Sequence, residues 1–303
     1  MTGTVGRRPP EDRLCQELTA RGRPLYGDTP PGGAVPCGRT TPLEPGEVDE
    51  VVATIARGRR ERHGELLPER LRTRDWSSVV RVLVGLLDHV EGTPAGWKVG
   101  AASEEVRRAE GLPEPSPGRI YRETVFESGA TLPEGMFVNY RNCECEYAFQ
   151  LGLDFPSRDE PYSRADVEAG IELLFPALEL GDSVFPDWYG ASAYFGSCLD
   201  NGGGAALVSG ERVADWRSVD LDRAGVDLYL EGCYVKSGSA RAAMGHPVTS
   251  LTWLVNWVRS HGIGVAAGEV VSTGTCTGHL FAARGDEVAA DFGELGTVTV
   301  RFA

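Results

Sequence analysis

The stretch Asn142–Phe149 reads NCECEYAF, with two thiols and two carboxylates in strict alternation ahead of an aromatic, a small residue and a second aromatic. In a β-strand residues i and i+2 point to the same side. Glu144 and Glu146 therefore share one face, and Cys143 and Cys145 share the other. Two carboxylates about 7 Å apart at their Cα atoms repel one another unless something positive lies between them. A divalent cation meets that need, and hard oxygen ligands select magnesium or manganese over zinc. The thiols would favour zinc, yet Cys-x-Cys supplies two ligands and no other suitably spaced Cys/His set completes a site. The thiols are assigned to the core, where free cysteine behaves as a small hydrophobe, and the carboxylates to the chemistry. The plainer alternative is a solvated strand face. A third acid weighs against it: Glu179 stands in FPALELGDS among Phe175, Pro176, Ala177, Leu178 and Leu180. A carboxylate in such an apolar strand is costly unless paired or metal-bound. Three acids suit an octahedral ion that keeps water or substrate oxygens in its other positions.

The chain around this stretch has the composition of a globular protein. It has 303 residues, 41% of them hydrophobic, enough for one large domain or two. Its net charge of −14 opposes binding along a nucleic-acid backbone or an anionic membrane. No apolar run approaches the roughly 20 residues that span a bilayer. MTGTVGRRPPEDRLCQ has arginines but no apolar stretch behind them, unlike a secretory signal. The seven cysteines are odd in number and scattered without a CxxC pair, which fits a reducing cytoplasm better than a disulfide framework.

Three regions follow from the texture. Residues 1–45, rich in Pro, Gly and Arg, predict an extended arm. Residues 46–94 predict two helices. Val48, Val51, Val52, Ile55 and Ala56 fall on one helical face, and Asp75 caps a second helix with Trp76, Val79, Val80, Leu83, Leu87 and Val90 inward. Residues 95–303 alternate short strands and turns, with helices predicted over SRADVEAGIELL from Ser163 and GHPVTSLTWLVNWVRSHG around Pro247. EPSPGRIY reads as a proline-punctuated loop. Strands carrying the chemistry and helices flanking them predict an α+β fold.

Seven pieces occur in one order: GWKVGAAS from Gly96, CECEYAF from Cys143, PALELGDS from Pro176, DNGGGAALVSG from Asp200, MGHPVTSLTWLVN from Met244, AGEVVSTGTCTG from Ala267 and FGELGTVTVRF from Phe292. On these, the chain from about Ala95 to Phe302 resembles the 2-keto-4-pentenoate hydratase and 4-oxalocrotonate decarboxylase group of the fumarylacetoacetate hydrolase superfamily. The resemblance implies a rolled mixed β-sheet with flanking helices, and Mg²⁺ or Mn²⁺ held by Glu144, Glu146 and Glu179. It implies a 2-oxo acid or dienol substrate processed through an enolate, and a homo-oligomer. Lys98 matches the family's active-site lysine; Thr275 and Thr277 match its pocket-lining turn, which could equally be threonines capping their own backbone.

Two departures bear on the reaction. Hydratases of this group usually carry PDYG where this chain has PSPG, so Ser116 stands where an acid is expected. Serines tend to follow Asp-Asn, whereas here Gly202, Gly203 and Gly204 do, leaving Gly203 in the substrate contact. Glu123 is the candidate to replace the missing acid. The expected activity is a metal-dependent, hydratase-like lyase. Decarboxylase, tautomerase or carbon–carbon hydrolase chemistry on a modified substrate is the alternative, and a catalytically reduced partner subunit is the reading from another class.

Overall fold

The computed structural model of the chain describes residues 38–186 and 194–303. The expected arm therefore lies, up to residue 37, outside the described residues. Helix α1 (Pro45–Glu61) begins with proline, whose missing N–H costs nothing in a first turn, and the Glu47 carboxylate accepts from the Glu44 N–H at 2.9 Å. Helix α2 (Trp76–Leu86) is capped as its sequence predicts, Asp75 accepting from the Ser78 N–H at 2.8 Å. Their apolar faces pack with Val184, Phe185 and Phe195 into a core separate from that of the strands.

The chain then runs through β1 (Pro94–Gly100), α3 (Glu104–Glu110), β2 (Ser116–Tyr121), β3 (Val125–Glu127), β4 (Ala130–Leu132) and β5 (Asn142–Leu151). It continues as α4 (Arg164–Ala169), β6 (Ile171–Gly181), α5 (Gly196–Leu199), β7 (Gly204–Ser209), β8 (Gly225–Leu230), β9 (Cys233–Ser239) and α6 (Pro247–Ser260). Strands β10 (Val270–Ser272), β11 (Leu280–Phe281), β12 (Glu287–Asp291) and β13 (Thr297–Phe302) complete it.

Two local expectations are corrected. The loop predicted at EPSPGRIY holds β2, an edge strand, where Pro117 removes no hydrogen bond that a neighbouring strand needs. The helix predicted across SRADVEAGIELL has its capping box, with Ser163 Oγ accepting from the Asp166 N–H at 3.1 Å, but stops at Ala169. Ile171 and Leu174 belong to β6 instead. Gly170 breaks the helix, Pro176 could not continue it, and pairing along nearly all of β5 prevails over the helical period.

The first sheet has the order β2-β1-β10-β5-β6-β7-β3, with β11 also paired to β5; the second is β4-β13-β12-β8-β9. Parallel pairs such as β1–β10 and antiparallel pairs such as β5–β6 occur in the same sheet. The fold is α+β with mixed sheets and flanking helices, as expected, and its strands form two open sheets. A shared core fed by both sheets and by α6 lies between them. Cys143, Cys145, Cys198 and Cys276 are free and buried, and Cys233 is disulfide-bonded. Among the described residues no helix is long and apolar enough to cross a membrane.

Candidate metal centre and active site

The register of β5 and β6 builds the centre. Glu144 lies directly opposite Glu179, and Glu146 opposite Ala177, so the pleat turns all three acids to one face. Oxygens of the three lie within 4.8 Å of one another. Cys143 and Cys145 point into the core on the reverse face.

Each acid is held by one oxygen. Glu146 Oε2 accepts from Ser272 Oγ at 2.6 Å and the Gly274 N–H at 2.8 Å. Glu144 Oε1 lies 2.7 Å from His279 Nδ1, and Glu179 Oε1 lies 3.2 Å from Lys98 Nζ. The other oxygens of Glu146 and Glu179 are buried without a hydrogen-bond partner. Donorless carboxylate oxygens turned toward further carboxylates fit a cation. Burial, then the charges of Glu179 and Glu144, pushes the Glu146 carboxyl well above the usual range. Burial also raises Glu179 against the pull of Lys98, while His279 and Lys98 overcome burial and hold Glu144 low. The donor set is oxygen only, the chemistry of a hard divalent ion. The thiols behind it are poor ligands, since burial pushes Cys145 up to about 12 and Cys143 well above the ordinary thiol range.

Lys98, on β1, is 3% exposed. Burial opposes its charge, but Glu179, Glu144 and Glu146 outweigh that and hold its pKa above the ordinary value. Its Nζ also donates to the Gly202 carbonyl. The side chain threads a sleeve of glycines: a Cβ at Gly100, Gly118, Gly202 or Gly204 would come within 2.9–3.2 Å of it. The glycines after Asp200-Asn201 thus make room for the lysine. Gly202 additionally has φ +60, which side chains rarely adopt.

A cavity of about 210 Å³ opens over Glu144, Glu179 and Lys98. Ser116, Gly203, Thr275 and Thr277 all line it. Ser116 Oγ is buried with no hydrogen-bond partner. Thr275 Oγ1 accepts from the Gly278 N–H at 2.9 Å, capping its own turn, and Thr277 Oγ1 accepts from the Cys145 N–H at 3.3 Å. The Gly203 carbonyl accepts from the Asp182 N–H at 2.9 Å.

Glu123 does not line this cavity. It is exposed on the border of a wider cleft that shares Lys98 and Glu179 with the cavity, and its carboxylate takes hydrogen bonds from the Thr93 N–H at 2.9 Å and Oγ1 at 2.8 Å. The turn that holds it is tied back to the start of β1, so it is not free to swing inward. His246 caps α6, accepting from the Val248 N–H at 3.1 Å. Two cavity residues escaped the sequence reading, Glu110 at the end of α3 and His279 just beyond STGTCTG. An acid directly before the Gly111 stop, where helices prefer bases, was the available signal for the first.

Residues 131–303 match the family Fumarylacetoacetate (FAA) hydrolase C-terminal, and the chain belongs to that family. It is 27% identical over 214 residues to a 2-oxo-hept-4-ene-1,7-dioate hydratase of Escherichia coli, covering 69% of this chain and 79% of that protein. A 2-hydroxyhexa-2,4-dienoate hydratase of Comamonas testosteroni is 30% identical over 209 residues, covering 68% and 77%. In fold, the chain is similar to the 4-oxalocrotonate decarboxylase from Pseudomonas putida G7 complexed with magnesium and adipate. The TM-score is 0.76 at 22% identity, over 88% of this chain and 100% of that one.

Proposed function

We propose that the chain is a divalent-metal-dependent, hydratase-like lyase acting on a small 2-oxo acid or its dienol, with Mg²⁺ or Mn²⁺ held by Glu144, Glu146 and Glu179. The observation that carries this reading is the buried triad with its two donorless oxygens, set beside a buried lysine at the floor of a cavity. The relatives named as hydratases support the reaction class. When bound, the ion would supply Lewis acidity toward the oxygens of a 2-oxo acid. The chain's own residues do the rest. Ser272, Gly274 and His279 fix the orientation of Glu146 and Glu144. Lys98, kept cationic by its neighbours, offers fixed positive charge to an oxygen that turns anionic as the enolate forms. Thr275, Thr277 and Gly203 shape the wall that receives the substrate.

Ser116 favours a second reading on the same site. With a hydroxyl where the family's acid is expected, the enolate could serve decarboxylation or tautomerisation instead of hydration. The intact triad and the glycine sleeve around Lys98 speak against a catalytically reduced partner subunit. Homo-oligomeric assembly belongs to the same proposal, and light scattering measures it.

The test is turnover of 2-hydroxypenta-2,4-dienoate with Mg²⁺, followed by ultraviolet loss, with products identified by NMR. Metal-dependent consumption that stops on chelation supports the lyase reading. Binding of Mg²⁺ and oxalate without turnover of any 2-hydroxydienoate would overturn it.

A further inference from the structure

Among the described residues that line the cavity, Glu110 is the one carboxyl outside the metal-binding triad. It ends α3, where Gly111 caps the helix at φ +71 and Arg74 Nη2 donates to the Glu110 carbonyl at 2.8 Å. The backbone there is pinned, while no described residue hydrogen-bonds or ion-pairs with the carboxyl itself. A negative charge at a helix C-terminus faces the negative end of the dipole. His279 and Arg74 act on the carboxyl through charge, without a hydrogen bond to it. Ser116, lining the same cavity, has a buried hydroxyl without a partner.

We propose that Glu110 is the proton-transfer group for the tail carbons of the substrate. The proposal rests on the lyase reading. A 2-oxo acid whose carboxylate and 2-oxygen are held at the triad and Lys98 extends its remaining carbons away from that floor. An acid in the cavity that is not a ligand is free to meet them. Burial raises the Glu110 carboxyl against the pull of His279, Glu144 adds to the rise, and Arg74 opposes it.

For 2-hydroxypenta-2,4-dienoate the step balances as follows. The Glu110 O–H bond breaks and a C5–H bond forms, using the π pair of C4=C5. The C2=C3 pair moves to C3=C4, the hydroxyl O–H bond breaks to give C2=O, and that proton leaves to water. The products are 2-oxopent-3-enoate and the Glu110 carboxylate, which water reprotonates.

The experiment follows deuterium uptake at C5 by NMR in D₂O, with Mg²⁺-loaded protein. Glu110→Gln, nearly isosteric, should slow enzyme-catalysed uptake by about 10²–10⁴-fold, the usual worth of a general acid. Glu110→Asp should recover part of the rate, and Mg²⁺ and oxalate affinities measured by calorimetry should stay unchanged in both, reporting an intact fold. Wild-type uptake in Glu110→Gln with normal Mg²⁺ binding would overturn the role of Glu110 and leave the lyase reading standing. A wild type that binds Mg²⁺ and oxalate yet moves no proton in any 2-hydroxydienoate would overturn both.

Discussion

The floor of the cavity stands on two long antiparallel strands, whereas its wall hangs on a helix of 7 residues, the head of an edge strand and a threonine turn. On the floor, one register fixes three acids at once, and moving any of them would require β5 and β6 to slip. On the wall, each group depends on its own short segment. Charge that must be concentrated against strong repulsion sits where the backbone cannot yield. The wall residues Ser116 and Glu110 sit on short segments that a substitution can alter one at a time.

That contrast can be broken or sharpened by mutation. Glu146→Gln should have the largest effect. It removes a charge from a buried constellation, a loss of about 3–5 kcal/mol, or roughly 10²-fold to a few 10³-fold in Mg²⁺ affinity by calorimetry. An unchanged affinity would remove Glu146 from the centre. Lys98→Met keeps the aliphatic stem, so the fold should survive with Mg²⁺ bound while kcat falls about 10²-fold or more; a folded variant at full rate would exclude Lys98. Gly202→Ala should cost about 1–2 kcal/mol of stability through its left-handed backbone. It should also lower kcat, but by less than Lys98→Met, because a Cβ there would stand 3.1 Å from Lys98 Cε. Smallest is Ser116→Asp. On the Glu110→Gln background it should regain about tenfold of the lost rate, as a general acid placed from the other wall; no gain would mean that the two positions are not interchangeable.

The pKa directions add a pH test. Glu146 and Glu179 are raised, so in the metal-free protein they hold protons above the usual carboxylate range. Mg²⁺ must displace those protons, so its affinity should fall as pH drops through the raised values and level off above them. Calorimetry in buffers of different ionisation enthalpy should show proton release; none would contradict the assignment.

The same contrast decides what could be read from the sequence. Alternation in NCECEYAF was enough to separate the acids from the thiols, because the strand period is two whatever the strand pairs with. Glu179 was visible for its apolar neighbours. Lys98 became plain through motif order, but its sleeve did not, since glycines from β1, β2 and the Gly202–Gly204 turn meet only in three dimensions. Glu123 was chosen for nearness in sequence to Ser116, and the chain turns it away toward Thr93. Glu110 and His279 are distant from each other in sequence and converge through helix placement and a turn, which no local period encodes.

The central claim is that the carboxylate face of β5, and not its thiol face, holds a hard divalent ion. Its most direct test is an electron paramagnetic resonance titration of chelator-stripped protein with Mn²⁺. The account predicts one Mn²⁺ per chain in an oxygen-only environment, displaced by Mg²⁺ and retained when Cys143 and Cys145 are both changed to alanine. Failure to bind Mn²⁺, together with stoichiometric zinc lost in that double variant, would contradict it.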